Sequence, residues 1–72
     1  MFMFYNMDSR LYTLASTDKK FKDHVCGSRA SAKRIMYNYM DKKGIHVVNK
    51  YDDNHFKTYI CDDGTRFFIN RI

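Results

Sequence analysis

The segment between Gly27 and Gly44 constrains this chain more than any other. Ser28 is an N-cap residue, whose hydroxyl can accept a free amide of a first helical turn. Ala32, Ile35, Met36, Tyr39 and Met40 then recur at three- and four-residue spacing, an apolar stripe along one side of a helix. Lys42 and Lys43 suit the negative end of the helix dipole, and Gly44 supplies a left-handed residue just beyond it. The spacing predicts a helix over about 29–43, with Arg29, Lys33, Tyr37 and Asp41 on its opposite face. A single stripe of this kind must bury itself against another layer.

What remains of the 72 residues has the character of strands. Leu11 to Ala15 is β-favouring, and an aromatic lead-in, Phe2 to Tyr5, precedes it across an Asn6-Met7-Asp8-Ser9 turn. After the helix, Ile45, Val47 and Tyr51 alternate with His46 and Lys50. Asp52-Asp53-Asn54 turns the chain, and Phe56, Thr58 and Ile60 then share one side of a strand. Asp62-Asp63-Gly64 is a hairpin signal, because Asp-Gly tolerates the positive φ such turns need. Thr65 to Ile72 closes the sheet, with Phe67 and Ile69 opposite Phe68 and Ile72. Residues 17–26 carry two patterns. Phe21, Asp23 and Val25 alternate as in a strand, while Thr17-Asp18 offers a cap for a second short helix with Phe21 and Val25 on one face. The strand is favoured. The expected fold class is α+β, a single domain over 1–72. One helix packs on a small antiparallel sheet in the order β(β)αβββ, leaving a sheet face that carries His, Lys, Tyr and Arg.

A chain this short buries little surface, and its hydrophobic fraction of 44% and aromatic fraction of 17% are what make a core attainable. A homodimer would add buried area that the monomer lacks. Two cysteines, Cys26 and Cys61, make no disulfide framework, so reduced thiols in a cytoplasmic setting are expected. Met1–Met7 is too short for the apolar core of a signal peptide, and no apolar run approaches the length of a membrane span. The chain has no Pro, Trp or Glu and is rich in Lys, Asn, Asp, Tyr, Phe and Met. That composition resembles a short reading frame from an AT-rich genome, such as a phage or other mobile element, acting in a host cytoplasm.

The formal net charge is +5, and the stretch Lys19–Arg34 accounts for all of it, with six bases (Lys19, Lys20, Lys22, Arg29, Lys33, Arg34) against Asp23. Such a field favours an acidic protein surface or a nucleic acid. With Tyr37 beside them these residues are the candidate binding site. The bases can meet phosphates or carboxylates, and Tyr12, Tyr37, Tyr59 or Phe68 could stack on bases where exposed. His24, Cys26, His55 and Cys61 are zinc-ligand types, but their spacing matches no zinc knuckle, so no metal is expected. No nucleophile motif or cofactor-binding loop is present, and Gly27-Ser28-Arg29 is the sole phosphate-loop candidate, better explained as loop and cap.

From Ala32 onward the chain runs helix, Lys43-Gly44, strand, Asn54-His55, strand, Asp63-Gly64, strand. Over about forty residues this resembles the layout of HicA-type messenger-RNA interferases, which have a double-stranded-RNA-binding-like fold and a catalytic His early in the second strand. The resemblance implies a ribonuclease with His55 as general acid/base. The family's Gly-Trp pair is here Gly44-Ile45, and no C-terminal helix follows Ile72. The residues themselves point first to a non-enzymatic binder that inhibits or regulates a macromolecular target through the basic face. The aromatic N-terminus Phe2–Tyr5 would serve as an anchor. A nucleic-acid binder using the same patch comes second, and the ribonuclease third.

Overall fold

The structure, a computed structural model, describes residues 11–53 and 56–72. Its elements are β1 (Tyr12–Ser16), β2 (His24–Cys26), α1 (Arg29–Lys43), β3 (Val47–Asp52), β4 (Phe56–Cys61) and β5 (Arg66–Arg71). The strands form one sheet in the order β2-β1-β5-β4-β3, every neighbouring pair antiparallel. This is the expected α+β arrangement, one helix on an antiparallel sheet.

The helix begins and ends on local chemistry. Ser28 is extended (φ −154°, ψ 158°), and its Oγ accepts the Ser31 amide at 3.1 Å. At the other end Gly44 turns left-handed at φ 71°. Its amide donates to the Asp41 carbonyl at 3.2 Å, and the Ile45 amide donates to Met40 O at 3.1 Å. These two bonds satisfy carbonyls that the last turn would leave open, and they bring Ile45 back onto Met40 in the core.

Along the helix Ala32, Met36 and Met40 are buried, and the stripe lies over β1, β2 and β5. The sheet supplies the other half of the core through alternate residues: Tyr12 and Leu14 of β1, Cys26 of β2, Tyr59 and Cys61 of β4, and Phe67 and Ile69 of β5. Both cysteines are buried free thiols, and burial raises the Cys61 pKa, which keeps it protonated and unreactive at neutral pH. The β4–β5 hairpin closes as the Asp-Gly signal predicts. Gly64 sits at φ 90°, its amide donates to Cys61 O at 2.9 Å, and Asp63 accepts both the amide and hydroxyl of Thr65.

Residues 17–26 settle largely as loop. Only His24–Cys26 is strand, paired with Tyr12–Leu14, and no helix forms there. Asp18 explains the outcome. Its Oδ1 accepts the Lys20 amide at 2.9 Å, making a tight turn instead of capping a helix. Its Oδ2 accepts the Tyr39 hydroxyl at 2.7 Å and lies 3.4 Å from Lys43 Nζ. The loop is thereby tied to the helix, and Phe21 drops into the core with its ring edge-on to Tyr39 (4.8 Å) and Phe67 (5.4 Å). The lead-in at Phe2–Tyr5 lies outside the described residues.

Candidate functional site

A sheet with one helix has two unequal faces, and the pairing register fixes what stands on the uncovered one. Three cross-strand rows occupy it. Val25, Thr13, Asn70 and Phe56 make the first; Ala15, Phe68, Thr58 and Tyr51 the second; Arg66, Ile60 and Asn49 the third. Val25 is 67% exposed, Tyr51 58% and Phe56 53%, while Phe68 and Ile60 are half-buried. Asn49 Nδ2 donates to the Tyr51 hydroxyl at 3.3 Å, which steadies that ring on the surface. Among these eleven positions Arg66 is the single charge.

The expected occupants of this face are partly replaced. Tyr and Arg are there, but His24 pairs with Leu14 and Lys57 with Ile69, so both point to the helix side. A β-bulge causes one further change. Between Val47 and Asn49 the register shifts, so Lys50 pairs with Tyr59 on the helix side and Tyr51 with Thr58 on the open face. Strict alternation would have placed Tyr51 with Val47.

The helix divides the bases of the Lys19–Arg34 stretch. Lys20 and Lys22 lie on the β2 flank, where with Lys42, His24, Asn38, Phe21, Ile35 and Tyr39 they line a cleft of about 330 Å³. Arg29 lies on the other flank, its guanidinium 5.6 Å from the centre of the Tyr12 ring. Its charge helps hold Asp52 below its usual pKa, an effect led by the hydrogen bond from Lys57. Lys33 and Tyr37 follow Arg29 at four-residue steps on that same flank, with Tyr37 near buried Tyr59. Lys19 is exposed in the loop and Arg34 on the outer helix surface. The candidate residues therefore form two groups and two outliers. Of the four stacking candidates, Tyr12 and Tyr59 are buried in the core. Tyr37 is exposed on the helix side, and Phe68 is half-buried on the open face.

At the cleft the loop is tied to the helix through Asp18, Tyr39 and Lys43. The Asp18 carboxylate has its pKa lowered to about 2, first by the Tyr39 hydroxyl and then by the Lys20 amide, with Lys43 adding to both. The same contact raises the Tyr39 and Lys43 pKa values, so all three keep their working charge across neutral pH.

Among the described residues no three His, Cys, Asp or Glu side chains lie close enough to share a metal ion. No helix there is long and apolar enough to cross a membrane. His55, the catalytic residue that the interferase resemblance implies, lies outside the described residues, as does Asn54. The open-face residues Val25, Tyr51, Phe56, Ile60 and Phe68 were not singled out together from the sequence. Part of the signal was present in adjacent Phe67 and Phe68, since neighbours in a strand must point to opposite faces. No family model, curated protein or solved structure matches the chain.

Proposed function

We propose that the protein is a non-catalytic binder that inhibits or regulates a partner protein by covering it with the open face of the sheet. The observation that carries this reading is the exposure of Val25, Tyr51 and Phe56 beside Phe68 and Ile60 on a face with a single charge. Five strands ~4.8 Å apart and about five residues long give a face of about 400 Å² in projection. On it the apolar side chains stand among Thr13, Thr58, Asn49, Asn70 and Arg66, and exposed apolar surface rimmed by polar residues marks an interaction site. Tyrosine, phenylalanine and arginine are also residues that anchor or enrich protein interfaces. The net charge of +5 favours a partner with acidic groups around an apolar centre.

A nucleic-acid reading fits this geometry less well. Binders of single strands set stacking rings within a basic groove. Here the aromatic face and the Lys20–Lys22–Lys42 cluster lie on opposite sides of the sheet.

The test is a photo-crosslinking amino acid placed at Thr58, in the middle of the open face, and separately at Arg34 on the outer helix surface. We expect a single heterologous protein adduct from Thr58 and none from Arg34. The purified partner should then bind the wild type at least tenfold more tightly than Phe56→Ser. Adducts from Arg34 alone, adducts only between copies of this chain, or unchanged affinity in Phe56→Ser would each overturn the reading.

A further inference from the structure

The cleft between the β1–β2 loop and the helix is a second site, on the opposite side of the sheet from the proposed partner face. We propose that it binds a small phosphorylated ligand of about nucleoside-monophosphate size, with the phosphate held by Lys20, Lys22 and Lys42.

Its volume of about 330 Å³ lies at the lower end of the range for small-molecule sites, ~300–1,000 Å³. Such a space takes one ring system and one charged group. Three lysines line it, and none is in an ion pair with a carboxylate of the described residues. Of the two acids on the loop, Asp23 is exposed between Lys22 and His24, and Asp18 is already engaged by Tyr39, Lys43 and the Lys20 amide. Its charge is spent on holding the loop to the helix.

A triply positive rim discriminates by ligand charge. A phosphate monoester brings about −1.5 to −2 at neutral pH, against −1 for a carboxylate, so the phosphate gains more from the same three point charges. Lysine is suited to this role because its ammonium is a compact donor that needs no planar partner. The rest of the cleft is apolar or aromatic: Phe21, Ile35, Tyr39 and half-buried His24. Tyr39 gives its hydroxyl proton to Asp18 and offers the ligand mainly its ring. Asn38 carries the one side-chain amide in the lining, which can both donate to and accept from the edge of a heterocycle. Phe21 is locked edge-on against Tyr39 and Phe67, so the floor exists before a ligand arrives.

The test is a titration of the full-length protein with adenosine monophosphate, followed by amide chemical shifts. Parallel titrations use adenosine, inorganic phosphate and free glutamate. We expect saturable shifts confined to residues 20–24 and 35–42 with the monophosphate. The effect should be smaller with phosphate, smaller still with adenosine, and weakened by added salt. Lys42→Glu and Lys20→Glu should each weaken binding at least tenfold. Lys33→Glu, on the other flank of the helix, should leave it unchanged, and well-dispersed spectra of each variant show that the fold survives. No saturation by about 10 mM monophosphate overturns the proposal. So does an equal loss in Lys33→Glu, or a response to glutamate as strong as to the monophosphate. Binding of an oligonucleotide or an acidic peptide in this cleft without binding of the monophosphate overturns it too. None of these outcomes touches Phe56 or Thr58, so the partner face stands or falls separately.

Discussion

Asp18 shows how one side chain can decide the course of a segment. A carboxylate after Thr17 can cap a helix, and the sequence allows that use as readily as any other. What selects the turn is a partner twenty-one residues away, the Tyr39 hydroxyl, together with Lys43 one turn further on. No local pattern in residues 17–26 announces that partner, which is why this segment was ambiguous from sequence while the helix was not. The pKa gives the contact a signature in solution. Because the folded value of about 2 lies below the ordinary 3.8, Asp18 stabilises the fold above pH ~4, and that contribution disappears as pH falls toward 2. In Asp18→Asn, stability at neutral pH should drop, and the gap to wild type should narrow steadily between pH 4 and 2 in denaturant titrations. Tyr39→Phe should raise the Asp18 titration toward 3.8, measured from its carboxyl carbon shift. An unmoved Asp18 would mean that the hydroxyl is not what lowers it.

At the scale of elements, the parts legible in advance are those whose signals are local. Ser28, the stripe through Met36 and Met40, and Gly44 specify the helix without reference to the sheet. Ser28→Ala should cost about 1 kcal/mol. Gly44→Ala meets no steric contact at its new Cβ, so its cost is the left-handed conformation alone, about 1–2 kcal/mol. Met36 is fully buried, and Met36→Ala should cost ~2–5 kcal/mol. Against the roughly 4–11 kcal/mol expected for a domain of this length, that change removes a large share of the stability. Thermal and urea denaturation measure all three. The three strands after the helix were legible in number and order, but not in every register. Nothing in Val47-Val48-Asn49 marks the bulge that turns Tyr51 to the open face, because a bulge is set by the partner strand as much as by its own residues. Phe56, Thr58 and Ile60, by contrast, share that face as their alternation predicts.

At the scale of the molecule, the open-face rings of Tyr51, Phe56 and Phe68 sit apart from the bases on the helix side. The six bases of Lys19–Arg34 look like one patch along the chain, yet Lys20 and Lys22 line the cleft on one flank of the helix while Arg29 and Lys33 stand on the other. Proximity in sequence therefore overstated the patch, and the cleft recruits Lys42 from outside it. Double substitution of Tyr51 and Phe56 by Ser should leave the melting temperature within a few degrees of wild type, since both rings are more than half exposed, while removing partner binding. A collapse of the fold in that variant would show that the face belongs to the core. The margins of the sheet carry one last consequence. At one side β2 has three residues, and at the other β3 is kinked at Val48. A neighbouring strand laid along β2 runs out of partners almost at once, and one laid along β3 loses step at the kink. Among the described residues, copies of the protein therefore meet only short or broken borders along which to string into ribbons, beside a greasy surface that needs no such pairing.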